Sequence, residues 1–140
     1  MTAKEYLQQL RMLDIKIRHR KEQVEELRAL AMCSGSFASD GDRVQTSGSG
    51  DRMSEQVAKY VDLQAEVEEM IRGYTEKKDR IIREIHELSD ARYVEVLFKR
   101  YVEFKKFELI SVEMNYDYTW TKKLHFQALQ EFELRHTKTP

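Results

Sequence analysis

Lys122 and Lys123 stand side by side, with Tyr118 and Thr119 before them and Gln127 after, in a stretch that reads as one helix. Lysine ammonium groups so placed can contact phosphates. Thr119, Gln127 and Tyr118 carry hydrogen-bonding groups able to reach base edges in a major groove. Two adjacent lysines are, taken alone, more often a solvated helix face. The argument therefore rests on the residues that set this helix in place.

The other reactive side chains do not converge on a reaction. Glu133 and His136 form one Glu-x-x-His pair, whereas a di-iron bundle needs two such pairs and further helix carboxylates. His125, beside Leu124, is expected to make a local hydrogen bond or face water, and His19 and His86 fall among charges on exposed helix faces. Glu68 and Glu69, next to Glu66, point about 100° apart on a helix and cannot share a substrate. Cys33 is the single cysteine, without a disulfide partner or a recognisable histidine partner. The glycines and serines near residue 48 lack both the Lys-Ser/Thr of a phosphate-binding loop and a preceding strand. We expect a non-enzymatic protein with no catalytic residues, no metal and no cofactor.

Upstream of the lysines, a short helix is predicted to begin near Lys106 and to carry Leu109 and Ile110. Ser111 is small enough for two helices to approach closely. Asn115 follows four residues later and can take a left-handed conformation that closes a helix sharply. Asp117 caps the next helix, whose buried side holds Thr121, Leu124 and Ala128. Helix, tight turn and second helix at this spacing form a helix-turn-helix that presents Tyr118, Thr119, Lys122, Lys123 and Gln127 outward. Phe126 falls either on that outer face, limiting how closely it approaches DNA, or in the core. Charge alone is a weak argument, since residues 94–140 hold eight Lys/Arg against seven Asp/Glu. A basic patch spanning Lys105, Lys106, Lys122 and Lys123 favours DNA. One broken by Glu108, Glu113 and Asp117 favours protein contact.

The rest of the chain reads as helical support. Apolar residues are 41% and charged residues 35% of 140, with a single proline at position 140. The formal charge is −1, which excludes a globally basic nucleic-acid binder. Over residues 1–33, Tyr6, Leu10, Leu13, Ile17, Val24, Leu27 and Ala31 mark a helix seam interrupted by Arg20. Residues 34–52 read as a flexible linker, because twelve of the nineteen are Ser, Gly or Asp. Over residues 53–88, Val57, Tyr60, Val67, Ile71, Tyr74, Ile81, Ile85 and Leu88 form a second seam with Gln64 and Lys78 as polar members, and Leu63 and Met70 widen it. Each long helix is on the order of 45–55 Å. They pair either within one chain, as an antiparallel coiled-coil-like hairpin, or between chains, as a homodimer. Ten of the fourteen aromatics lie beyond Asp90, which marks residues 90–136 as a compact unit. The expected fold is thus all-α: a long helical hairpin plus a small C-terminal helix-turn-helix domain. No apolar signal core or membrane-spanning run is found, so a cytoplasmic location without membrane contact is expected.

Tyr6-Leu7, Leu13-Asp14, Val44-Gln45-Thr46-Ser47, Arg100-Tyr101, Ile110, Met114-Asn115-Tyr116, Leu124-His125 and Ala128-Leu129 resemble a family of small phage and prophage proteins of Gram-positive bacteria. The C-terminal part is similar to region 4 of sigma factors and to phage late-gene transcriptional activators. The resemblance implies a helix-turn-helix protein that binds double-stranded DNA and regulates transcription, with RNA polymerase as a further partner. The chain departs from the family pattern at Ser111, where alanine is usual, at Thr121, often apolar, and at Phe126, where glycine is usual. Two other functions fit the same residues: a coiled-coil interaction protein whose C-terminal domain docks a protein, and a small phage DNA-packaging subunit.

Overall fold

The computed structural model describes residues 1–38 and 47–136, with side chains through residue 32 and from residue 52 onward. All regular structure among the described residues is helical: α1 Ala3–Ala38, α2 Ser47–His86, α3 Ala91–Leu97, a π-helical turn Phe98–Val102, α4 Phe107–Met114 and α5 Tyr118–His136. Helix α1 runs five residues past the expected start of the linker at residue 34, and α2 begins at Ser47 rather than near residue 53. The rest of the proposed linker, with Val44-Gln45-Thr46, lies outside the described residues. No described helix is long and apolar enough to cross a membrane. The chain divides into two units, Met1–Asp14 with Tyr74–Pro140, and Ile15–Gly73.

The first unit holds the main core. Helix α1 opens with a reciprocal cap: the Glu5 amide donates to Thr2 Oγ1 at 3.2 Å, and the Thr2 amide donates to Glu5 Oε2 at 3.2 Å. Ala3, Leu7 and Leu10 then bury one stripe of α1 together with Ile81, Ile85 and Leu88. The same cluster includes Val96, Leu97, Tyr101, Val102, Ile110, Leu124, Ala128 and Phe132. Tyr6 donates to Glu84 Oε1 at 2.7 Å and Lys77 donates to Gln9 Oε1 at 2.7 Å. Residue numbers rise on one helix as they fall on the other, so within this unit α1 and α2 run antiparallel in one chain. The compact unit is therefore larger than residues 90–136. It takes in both helix ends, because about 45 residues alone have too little apolar surface for a stable core.

The Ile15–Gly73 unit has a thinner seam, with Ile17, Val24 and Val67 buried and Leu27, Leu63 and Met70 half-buried. Arg20, the expected interruption, is exposed and reaches Glu66 across the pair at 3.7 Å. On α2 the seam differs from the sequence pattern at two positions. Val57 is 46% exposed and Ile71 lies at 36%, whereas Met70, three residues after Val67, turns inward. A helix turns 100° per residue, so steps of three and four land on opposite sides of a narrow stripe, and apolar character alone does not choose between them.

Gly73 is a helical residue whose added Cβ would meet nothing within 4 Å. Gly73→Ala is expected to stabilise the protein by about 0.5–1 kcal/mol, read as a raised urea midpoint with an unchanged denaturant slope.

Candidate nucleic-acid interface

Three local devices set the lysine-bearing helix. Asp90 caps α3, its carboxylate accepting from the Arg92 amide at 2.8 Å and from the Arg92 guanidinium at 2.8 Å and 3.2 Å. This pairing holds the Asp90 carboxyl below its usual range. Helix α3 continues into the π-helical turn, where the Glu103 amide donates to the Phe98 carbonyl at 3.0 Å. Phe104 then takes a positive φ of 59° and redirects the chain into α4, with Arg11 over its ring at 4.9 Å.

Helix α4 ends as the residue types predict. Asn115 is left-handed, at φ 60° and ψ 41°. The Tyr116 amide donates to the Ser111 carbonyl at 3.0 Å and the Asn115 amide to the Val112 carbonyl at 3.3 Å, the paired bonds of a Schellman closure. Asp117 Oδ1 accepts from the Trp120 amide at 2.7 Å and starts α5. The Thr121 hydroxyl donates to the Asp117 carbonyl at 2.9 Å, which lets a polar side chain sit fully buried. Ser111 meets the same demand by donating to the Glu108 carbonyl at 2.8 Å. Ile110, Thr121, Leu124 and Ala128 all reach zero exposure, and α5 packs on both α3 and α4.

Burying that stripe leaves Tyr118, Thr119, Lys122, Lys123 and Gln127 exposed. These five residues, joined by Phe126, line one open depression on α5. Lys122 Nζ stands 5.0 Å from the centre of the Tyr118 ring. The Tyr93 hydroxyl, from α3, donates to Gln127 Oε1 at 3.2 Å, which leaves the amide NH2 of Gln127 to donate elsewhere. Phe126 is on the outer face, 61% exposed, and not in the core. Tyr93 was not legible as a positioning residue, because it lies 34 positions away in sequence. Phe126 had a signal: it is four residues after Lys122 and eight after Tyr118, on one helical line.

The surrounding charge is broken. Glu113 accepts from Lys105 at 2.8 Å and 2.9 Å and from Lys99 at 3.0 Å. Lys105 bonding holds the Glu113 carboxyl below its usual range, and Glu113 raises Lys105 in turn. Lys105 is thus committed within the protein. From residue 118 to residue 130, however, α5 carries two lysines and no carboxylate, so its exposed amino-terminal half is locally cationic.

His125 on α5 is held by long-range contacts, where a local hydrogen bond or a water-facing position was expected. His125 Nε2 and the Tyr101 hydroxyl share a 2.7 Å hydrogen bond. The imidazole stacks on Tyr101 at 5.5 Å and meets the edge of Phe107 at 4.8 Å. Burial, with Arg100 and Lys4 nearby, pushes its pKa down to about 4, and burial raises Tyr101 to about 12. His136, placed at a fraying end by its sequence position, instead packs on Phe132 at 4.4 Å and approaches Glu84 at 3.9 Å and Glu87 at 3.7 Å. Glu133 is exposed. Among the described residues, no group of three or more His, Cys, Asp or Glu side chains could hold a metal ion. The chain matches no protein-family model, no curated protein and no solved structure.

Two predictions follow from these contacts. Asn115→Ala is expected to destabilise the protein by about 1–2 kcal/mol, with Asn115→Gly near the native value, in urea titrations. For His125 the folded pKa of about 4 lies below its ordinary 6.5. The unfolded chain therefore binds the proton first, and the stabilising contribution is complete above pH 6.5 and is lost as pH falls toward 4. Between those limits the native protein is expected to lose up to about 3 kcal/mol more than His125→Phe, measured as paired urea midpoints at each pH.

Proposed function

We propose that this protein binds double-stranded DNA through a helix-turn-helix formed by α4 and α5, with α5 as the recognition helix, and that it regulates transcription of phage or prophage genes. The observation that carries the reading is the carboxylate-free stretch of α5 from residue 118 to residue 130, exposing Tyr118, Thr119, Lys122, Lys123 and Gln127 beyond a closed left-handed turn. Lys122 and Lys123 supply phosphate contacts. Thr119, Tyr118 and the free amide hydrogens of Gln127 supply donors and acceptors for base edges. The transcriptional role follows from the resemblance to sigma-factor region 4 and late-gene activators. On that reading, RNA polymerase is a partner and the paired long helices are the surface for it or for a second copy of the chain.

A second reading, a non-enzymatic interaction protein, draws on a specific feature. Glu113 captures Lys99 and Lys105, so the cationic surface does not spread from α5 along the neighbouring turn. On that reading the exposed Phe126 meets a protein surface.

Titration of mixed-sequence duplex DNA across a salt series separates the two. The native chain is expected to bind with an affinity that falls steeply as salt rises. The double variant Lys122→Ala with Lys123→Ala is expected to bind more weakly on all sequences, with the log–log salt slope reduced by about two. A double variant that binds like the native chain would put the interface elsewhere; no binding at low salt by the native chain would leave the interaction reading.

A further inference from the structure

Phe126 is 61% exposed although it sits between Leu124 and Ala128, both fully buried. It belongs to the line formed by Tyr118, Lys122 and Phe126, with Thr119, Lys123 and Gln127 on the line beside it. From Tyr118 to Phe126 this face spans eight helical steps, about 12 Å of helix, comparable with the width of a major groove. A phenyl ring held beside cationic and hydrogen-bonding side chains on one face gains free energy by burial if its partner offers an apolar group among phosphates and polar edges. The major groove has one such group, the 5-methyl of thymine. Lys122 and Lys123, one turn before the ring, select for a polyanion. Gln127, whose Oε1 accepts from Tyr93, lines the same depression.

We propose that Phe126 is a specificity-determining residue that packs against thymine 5-methyl groups and biases the protein toward thymine-containing sites. The inference rests on α5 being the DNA-contacting helix. It requires no movement of the core, since the ring is already outside it.

The test uses the full chain and three duplexes of equal length: alternating adenine–thymine, the same duplex with uracil for thymine, and alternating guanine–cytosine. Uracil keeps every hydrogen-bonding group of thymine and removes only the methyl. The native protein is expected to prefer the thymine duplex over the uracil duplex by about fourfold per sheltered methyl, the transfer value of one such group. Phe126→Ala, whose melting temperature should stay near native, is expected to lose that preference and bind both duplexes as the native chain binds the uracil one. Equal native affinity for thymine and uracil duplexes overturns the assignment of Phe126 while leaving the DNA reading in place, and so does a preference that survives in Phe126→Ala. An absence of salt-dependent binding to all three duplexes overturns both.

Discussion

The first two α-helices that follow Asp90 are too short to hold themselves together. Helix α3 has seven residues and α4 has eight, so neither can form alone in water. What stabilises them is an apolar cluster to which the long helices contribute Leu7, Leu10, Ile81 and Ile85, all at zero exposure. Leu97, Ile110, Leu124 and Phe132 close the same cluster from the other side. The capped start of α1 is consequently part of the domain that carries the candidate interface. Tyr6 bonded to Glu84, and Lys77 bonded to Gln9, fix the register of the helix ends in that core.

Given that core, the orientation of α5 is set by a few backbone decisions. The left-handed Asn115 and the capping Asp117 reverse the chain within three residues. Thr121, Leu124, Ala128 and Phe132 are then turned inward, and residues one or two positions away must face out. The candidate interface residues are exposed as the geometric remainder of the buried stripe. Two polar residues in that packing, Ser111 and Thr121, are tolerated because each hydroxyl finds a backbone carbonyl within its own turn. His125 is the less economical element. Its neutral ring fills space between Tyr101 and Phe107 and links α5 to the π-helical turn and to α4, at the cost of stability in acid.

Electrostatics narrows the surface that can meet a polyanion. Four lysines near the turn were candidates from sequence, but Lys105 is bonded to Glu113 and Lys122 partly covers Tyr118. Salt bridges at exposed positions such as Lys99–Glu113 contribute little to stability. Their consequence is that the charges of Lys99 and Lys105 are offset by Glu113 beside the turn. Phosphate contacts there would be few, so recognition would depend more on base edges than on bulk charge.

The local elements of this site were legible in the residues: the Asn115 closure, the Asp117 cap, the buried Thr121, Leu124 and Ala128, and the outward Tyr118, Thr119, Lys122, Lys123 and Gln127. Each depends on backbone preferences and helical periodicity within a few neighbouring positions, and such information is contained in the sequence. Three matters were decided only by tertiary structure. The core recruited the ends of α1 and α2, the α2 seam chose Met70 over Ile71, and His125 joined Tyr101 and Phe107 in place of a local partner. Each of these depends on which surfaces meet between distant parts of the chain, or on a small rotation of a helix about its axis. Residue type and spacing carry no record of either, because the same apolar pattern can be buried against several partners.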